Sequence, residues 1–251
     1  MLSDSELMKN HSDCLKLLDV FLSICDANNI EYFIAEGSAL GTVREKGFIP
    51  WDVNIDINMS IIEYEKLDKI LSSMDLGDMI WELPKHGRMA KWLVFKNPGD
   101  CRVRSNLDIG LFAPCSSFLI ARLFEHLFLL WNYKAHKLKH STIKRSFPYN
   151  ILARISKLFS ENFYFGNMNR FAHKKKLNNA KYVANITPGG LLLKGHVLPV
   201  DVYYGDRAYG EFEGRRVRLP SRWDYYLRGM YGDDYMTPKR VEKGTYFHQK
   251  K

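Results

Sequence analysis

The 251-residue sequence predicts an α+β (mixed α/β) fold, and three observations carry that reading. Apolar residues recur at helical spacing near the start and in the middle of the chain. Short runs that alternate with period two lie between these stretches. The elements follow the order helix, strand, helix, strand, helix, strands, which suits a mixed sheet flanked by helices. Hydrophobic residues make up 46% and charged residues 26%, ordinary values that exclude a disordered or collagen-like polymer. A chain of this length buries a sizeable core without staples.

In residues 5–27, Leu7, Met8, Leu15, Leu18, Phe21, Leu22 and Cys25 fall near helical spacing, behind Ser3 or Asp4 as a cap. Residues 30–35 form a β-type run, and residues 38–46 predict a helix opened by Gly37. Residues 51–59 alternate as a strand, and residues 61–72 return to helical spacing. Strands are predicted at 79–83, 91–95 and 106–112. Residues 116–132 predict a helix whose most apolar part contains Arg122, Glu125 and His126 and is too short to span a bilayer. It belongs in a core or on a membrane surface. Residues 151–159 are helical, and a Gly/Pro-marked zone begins at Thr187. Short strands near 196–202 and 209–219, a last helix at 222–230 and a polar tail complete the chain. The division expected is a core at 1–115, a basic helical insertion or lid at 116–182, and a C-terminal part of the same domain at 183–251.

The four cysteines Cys14, Cys25, Cys101 and Cys115 form no CxxC pair, which argues for reduced thiols and a cytoplasmic protein. The first residues carry acids where a signal peptide needs a basic start. Net charge is +9 but local: residues 132–182 hold 12 Lys and Arg against Glu161 as the one acid, and the remainder sums to −2. That segment includes residues 134–140, Lys144 and Arg145, and residues 172–176, interleaved with aromatics. Such a field suits a polyanion, with a merely solvated helical face as the competing reading. Nucleic acid is disfavoured, because no helix-turn-helix, RNP or zinc-finger pattern accompanies it. Contact with an anionic membrane surface fits both the charge and the apolar helix before it.

Chemistry concentrates in three segments. Gly37 and Ser38 stand where a strand gives way to a helix, and free N–H groups at a helix start make a phosphate seat. On the strand after Pro50, Trp51, Val53, Ile55 and Ile57 point one way and Asp52, Asn54, Asp56 and Asn58 the other. Asp and Asn are poor strand formers, and two like charges on one face repel without a cation between them. Hard oxygen ligands suit Mg²⁺ or Mn²⁺. Asp108, among the core-facing Leu107, Ile109 and Leu111, offers a further carboxylate from another strand. The histidines show no zinc spacing with cysteines.

Two longer motifs carry a family resemblance. Residues 37–44 (GSALGTVR) and 47–52 (GFIPWD) resemble the signature of the LicD family, which includes bacterial phosphocholine transferases and fukutin-related ribitol-phosphate transferases. Residues 212–214 (FEG), Leu219-Pro220, and 224–236 (DYYLRGMYGDDYM) with Pro238 resemble the family's second hallmark. The resemblance runs from about Ile30 to His248 and implies a nucleotidyltransferase (polymerase-β-like) core.

It also implies roles. Gly37 and Ser38 seat the nucleotide phosphates, and Arg44 pairs with a carboxylate or phosphate. Asp52, Asp56 and Asp108 are catalytic, and Asn54, Asp56 and Asp108 hold the metal. The family has Asp where this chain has Asn54, and a neutral amide holds a cation less tightly. The implied reaction is metal-dependent transfer of a phospho-alcohol, phosphocholine first, from a CDP-alcohol such as CDP-choline to a glycan hydroxyl. The acceptor would be a lipid-linked, cell-wall or capsular chain. The alternatives are CDP-glycerol or CDP-ribitol as donor, or a weakened glycan-binding relative because of Asn54. Trp92, Trp223, Tyr225, Tyr226, Tyr231 and Tyr235 are available to hold a quaternary ammonium, and His248 to close the site.

Overall fold

A computed structural model describes residues 2–83, 90–97, 103–139, 147–173, 176–186 and 195–238. Cys101, Lys144, Arg145, Lys174, Lys175, the zone from Thr187 to Gly190 and His248 lie outside the described residues. The long first helix, α1 (Asp4–Ala27), starts at Ser3, which accepts the Glu6 N–H while the Glu6 side chain accepts the Ser3 N–H. This reciprocal cap satisfies two otherwise orphaned donors. Its apolar stripe, including Leu17, Leu18 and Phe21, is fully buried.

The core is a mixed sheet in the order β1 (Phe33–Ile34), β2 (Asn54–Ser60), β5 (Asn106–Cys115), β4 (Trp92–Phe95), β3 (Met79–Glu82). The later half of β5 also pairs with β6 (Tyr182–Asn185), which pairs with β7 (Val197–Pro199). Only β2 and β5 run parallel among these pairs, and α3 (Ile61–Ser73) leads away from the end of β2. Parallel neighbours are buried on both faces, and Ile55, Ile57, Leu107 and Ala113 all sit in the core. Among the described residues, three α-helices stand between β5 and β6: α4 (Leu119–Lys139), α5 (Phe147–Lys157) and α6 (Glu161–His173). A separate hairpin, β8 (Ala208–Phe212) and β9 (Arg215–Leu219), packs on β1 and on α2 (Glu36–Arg44); α7 (Trp223–Tyr231) follows it.

Several elements depart from their expected bounds. The strand expected at 51–59 begins at Asn54, because Asp52 N–H donates to the Ile49 carbonyl at 2.9 Å and closes a turn around Pro50 and Trp51. Trp51 is therefore half exposed and not on the core face. β5 runs three residues past Phe112. β6 and α6 escaped the pattern, since β6 is four residues long and α6 is rich in Asn and aromatics. The hairpin turn is Glu213 (φ +48°) and Gly214 (φ +75°), the left-handed pair that a two-residue hairpin demands.

Candidate active site

The carboxylates are built by strand register. Asp56 and Asp108 are direct partners on parallel β2 and β5, as are Asn54 and Asn106. Register partners project to the same face of the sheet, with backbones about 4.8 Å apart. Asp108 is buried and Asp56 half-buried. Asn54 Nδ2 donates to Asp56 Oδ1 at 2.8 Å, so the predicted ligand trio is contiguous. Asn58, expected on the same polar row, has a different job. It is buried, and its amide donates to the Tyr203 hydroxyl at 3.2 Å and the Tyr226 hydroxyl at 3.5 Å. Its partner in register is Gly110, where a Cβ would collide with the Asn58 amide oxygen.

The start of α2 is tied to this strand. Ala35 N–H donates to the Asp56 carbonyl at 2.9 Å, and Asp56 N–H donates to Ser38 Oγ at 3.0 Å. The helix begins at Glu36, so Gly37 and Ser38 form its first turn and do not precede it. Their N–H groups have no acceptor in the turn behind them, the usual condition of a helix start. Glu36 itself adopts φ +45°. That conformation costs a non-glycine residue about 1–3 kcal/mol and persists only where surroundings impose it. Here Glu36 N–H donates to the Tyr226 hydroxyl at 3.0 Å. A residue buried in the C-terminal helix thus sets the backbone beside the carboxylates.

Asp52 closes the other side. A Cβ on Gly37 would stand 2.7 Å from Asp52 Oδ2, so glycine there lets the carboxylate approach the helix start. Burial pushes the Asp52 carboxyl above its ordinary value, against the Val53 and Asn54 N–H groups and His11, which favour the charged form. His11 Nε2 lies 2.7 Å from the Asp52 carbonyl, and its ring stacks on Phe48 at 3.9 Å. Tyr231, half-buried, stands within electrostatic reach of Glu36, Asp56, Asp52 and Arg44. Burial and those carboxylates hold its phenol well above the ordinary value, as a neutral donor.

Arg44 is placed elsewhere. It lies in the last turn of α2, where it bonds Glu45 Oε1 at 2.7 Å and the Tyr235 carbonyl at 3.2 Å. It has a carboxylate partner, but these bonds join the end of α2 to the C-terminal segment and lie away from Gly37 and Ser38. Of the aromatics considered for a quaternary ammonium, Tyr226 is spent on Glu36 and Asn58, and the Tyr235 hydroxyl donates to Asp224 at 2.7 Å. Tyr225 packs under Arg222. Tyr231 lies within electrostatic reach of the carboxylates. Glu36, His11 and the propping role of Tyr226 were missed from the sequence, because a strained φ and a contact across 190 positions leave no local pattern.

Among the described residues no three His, Cys, Asp or Glu side chains form a metal-binding group. The trio here is two carboxylates and an amide. It still fits a hard divalent cation: every ligand atom on offer is oxygen once the Asn54 amide turns, and side-by-side carboxylates repel without a positive charge.

Residues 29–112 match the nucleotidyltransferase domain described as LicD/FKTN/FKRP. The matched segment is similar to that family. It spans α2, β2 and most of β5, and therefore every predicted catalytic and metal residue. The lipopolysaccharide cholinephosphotransferase LicD of Haemophilus influenzae is 25% identical over 92% of this chain and 91% of its own length. That likeness extends past residues 29–112 into the hairpin and α7, whose Tyr226 reaches back to the site. Among the described residues, no helix is long and apolar enough to cross a membrane.

Proposed function

We propose that this protein is a phosphotransferase that moves phosphocholine from CDP-choline to a glycan hydroxyl. The observation that carries this is the register of Asp56 with Asp108 beside the first turn of α2. The likeness to a cholinephosphotransferase favours choline over glycerol or ribitol.

Asn54, Asp56 and Asp108 would hold Mg²⁺ or Mn²⁺, which when bound neutralises diphosphate charge and eases departure of the nucleotide. The Gly37 and Ser38 N–H groups bind a phosphate oxygen at the helix start. An acceptor hydroxyl attacks the choline-bearing phosphorus; the new O–P bond forms as the P–O bond to CMP breaks, and CMP leaves. Asp52 takes the hydroxyl proton. Asp56 and Asp108 would serve as ligands, and burial raises the Asp52 carboxyl above its ordinary value, which makes it a better proton acceptor. Tyr231 orients the phosphate or hydroxyl from its phenol. The donor's quaternary ammonium is placed against Tyr231 and the Glu36 carboxylate.

The test is CMP release from CDP-choline, CDP-glycerol and CDP-ribitol with Mg²⁺ and a bacterial lipopolysaccharide acceptor. The reading expects CMP with CDP-choline, lost with EDTA. Turnover only with another donor would overturn the choline assignment. Absence of both turnover and metal-dependent nucleotide binding would favour a weakened glycan-binding relative. The Asn54 to Asp56 hydrogen bond is the feature that supports that second reading. Asn54→Asp separates them: a rise in rate marks a weakened ligand, and a fall marks a dedicated amide.

A further inference from the structure

α4 is built inside out. Its polar residues turn toward the protein: Glu125 accepts from the Ser116 N–H at 2.9 Å and the Ser116 hydroxyl at 2.7 Å. Asn132 is fully buried and bonds the Phe128 carbonyl and Asn167. Arg122 packs over the Tyr182 ring. The opposite face holds Ile120 (73% exposed), Phe124 (68%), Leu127 (50%) and Trp131 (48%), one continuous helical stripe of large apolar side chains. Phe118 (79%) stands at its head, α5, packed on α4, adds Ile155, and Leu158 follows just past its end. Isolated exposed apolar residues are normal, but a contiguous stripe marks a surface that something covers.

Charge says what covers it. Lys134, Arg154, Lys157, Arg170 and Lys176 are all exposed on the same three helices or immediately after them. The segment from 132 to 182 carries +11, although the rest of the chain is −2. Apolar side chains flanked by lysine and arginine, on a helix too polar on one side to span, form the pattern of a segment lying in a membrane interface. Long basic side chains bury their stems and keep their heads at phosphate level. A nucleic acid would meet the charge but leave the Phe124 stripe in water.

We infer that α4 and α5 form a docking face for an anionic lipid bilayer, with Ile120, Phe124, Leu127 and Trp131 entering the headgroup boundary. This goes beyond the transferase reading and does not depend on it. The experiment is co-sedimentation of the full chain with phosphatidylcholine vesicles, with or without about a third phosphatidylglycerol, at low and high salt. Partitioning is expected to be at least about tenfold stronger on the anionic vesicles and to weaken with salt. Phe124→Glu with Leu127→Glu, and separately Arg154→Glu with Lys157→Glu, should each reduce it about tenfold while circular dichroism stays unchanged. Equal binding by wild type and both variants, or no vesicle binding at all, overturns the inference. So does a concentration-dependent dimer in light scattering that Phe124→Glu abolishes without any vesicle binding, or retention of RNA alone. Since the readout is vesicle binding, failure here leaves the CMP-release test untouched.

Discussion

Asp56 and Asp108 are acidic residues placed side by side by backbone register, an arrangement that a bound cation would stabilise. Asp108→Asn is therefore expected to lower CMP release by about 100-fold or more while Tm stays level or rises, read by steady-state kinetics and calorimetry together. Asp52 makes a pH-dependent prediction. Its folded-state pKa lies above the ordinary 3.8, so its favourable contribution to folding is complete below that value and is lost as pH rises through the raised one. Asp52→Asn should accordingly raise Tm at pH 7 by ~2–4 °C, with the gain vanishing below about pH 4, and should slow transfer. Gly37→Ala places a methyl 2.7 Å from the Asp52 carboxylate. Its expected signature is a fall in turnover larger than any loss of Tm.

Elements transmit the design. α7 reaches the start of α2 through Tyr226, whose hydroxyl accepts from Glu36 N–H and from the Asn58 amide. Tyr226→Phe leaves a strained backbone without its acceptor and should cost about 1–3 kcal/mol in urea unfolding, with a matching loss of kcat/KM. The hairpin braces the other end of the loop: Glu213 N–H donates to the Lys46 carbonyl at 2.8 Å, and its carboxylate accepts from Phe48 N–H at 3.3 Å. What was legible in the sequence follows from these facts. Period-two alternation revealed Asp56 and Asp108, because strand geometry ties sequence spacing to a face. It put Asn58 on the same polar row without showing its role, because alternation assigns a face but not what covers it, and two tyrosines from distant segments do. Arg44 was assigned through the motif at residues 37–44; its position at the far end of a nine-residue helix sets its bonds to Glu45 and the Tyr235 carbonyl.

At the scale of the whole molecule, the two sequence motifs are one structure: the second supplies Tyr226, Tyr231, Tyr235 and Glu213 to the first. The α+β class was readable from element order and a helical insertion from the basic, apolar middle, but that the insertion joins neighbouring strands β5 and β6 was not, since β6 pairs back across a long excursion. The described thiols report on the integrity of this core. Cys14, Cys25 and Cys115 are free and buried, and burial pushes the Cys14 thiol up to about 12 and Cys25 higher still. A thiol reagent at pH 8 should leave these three unmodified in the native protein and titrate them on unfolding. The claim on which function rests is that Asp56 and Asp108 share a divalent ion. Mn²⁺ binding followed by electron paramagnetic resonance, in the presence of CDP-choline, tests it most directly. The account predicts saturable binding that weakens at least about tenfold in both Asp56→Asn and Asp108→Asn. Binding of the same strength in either variant would contradict it.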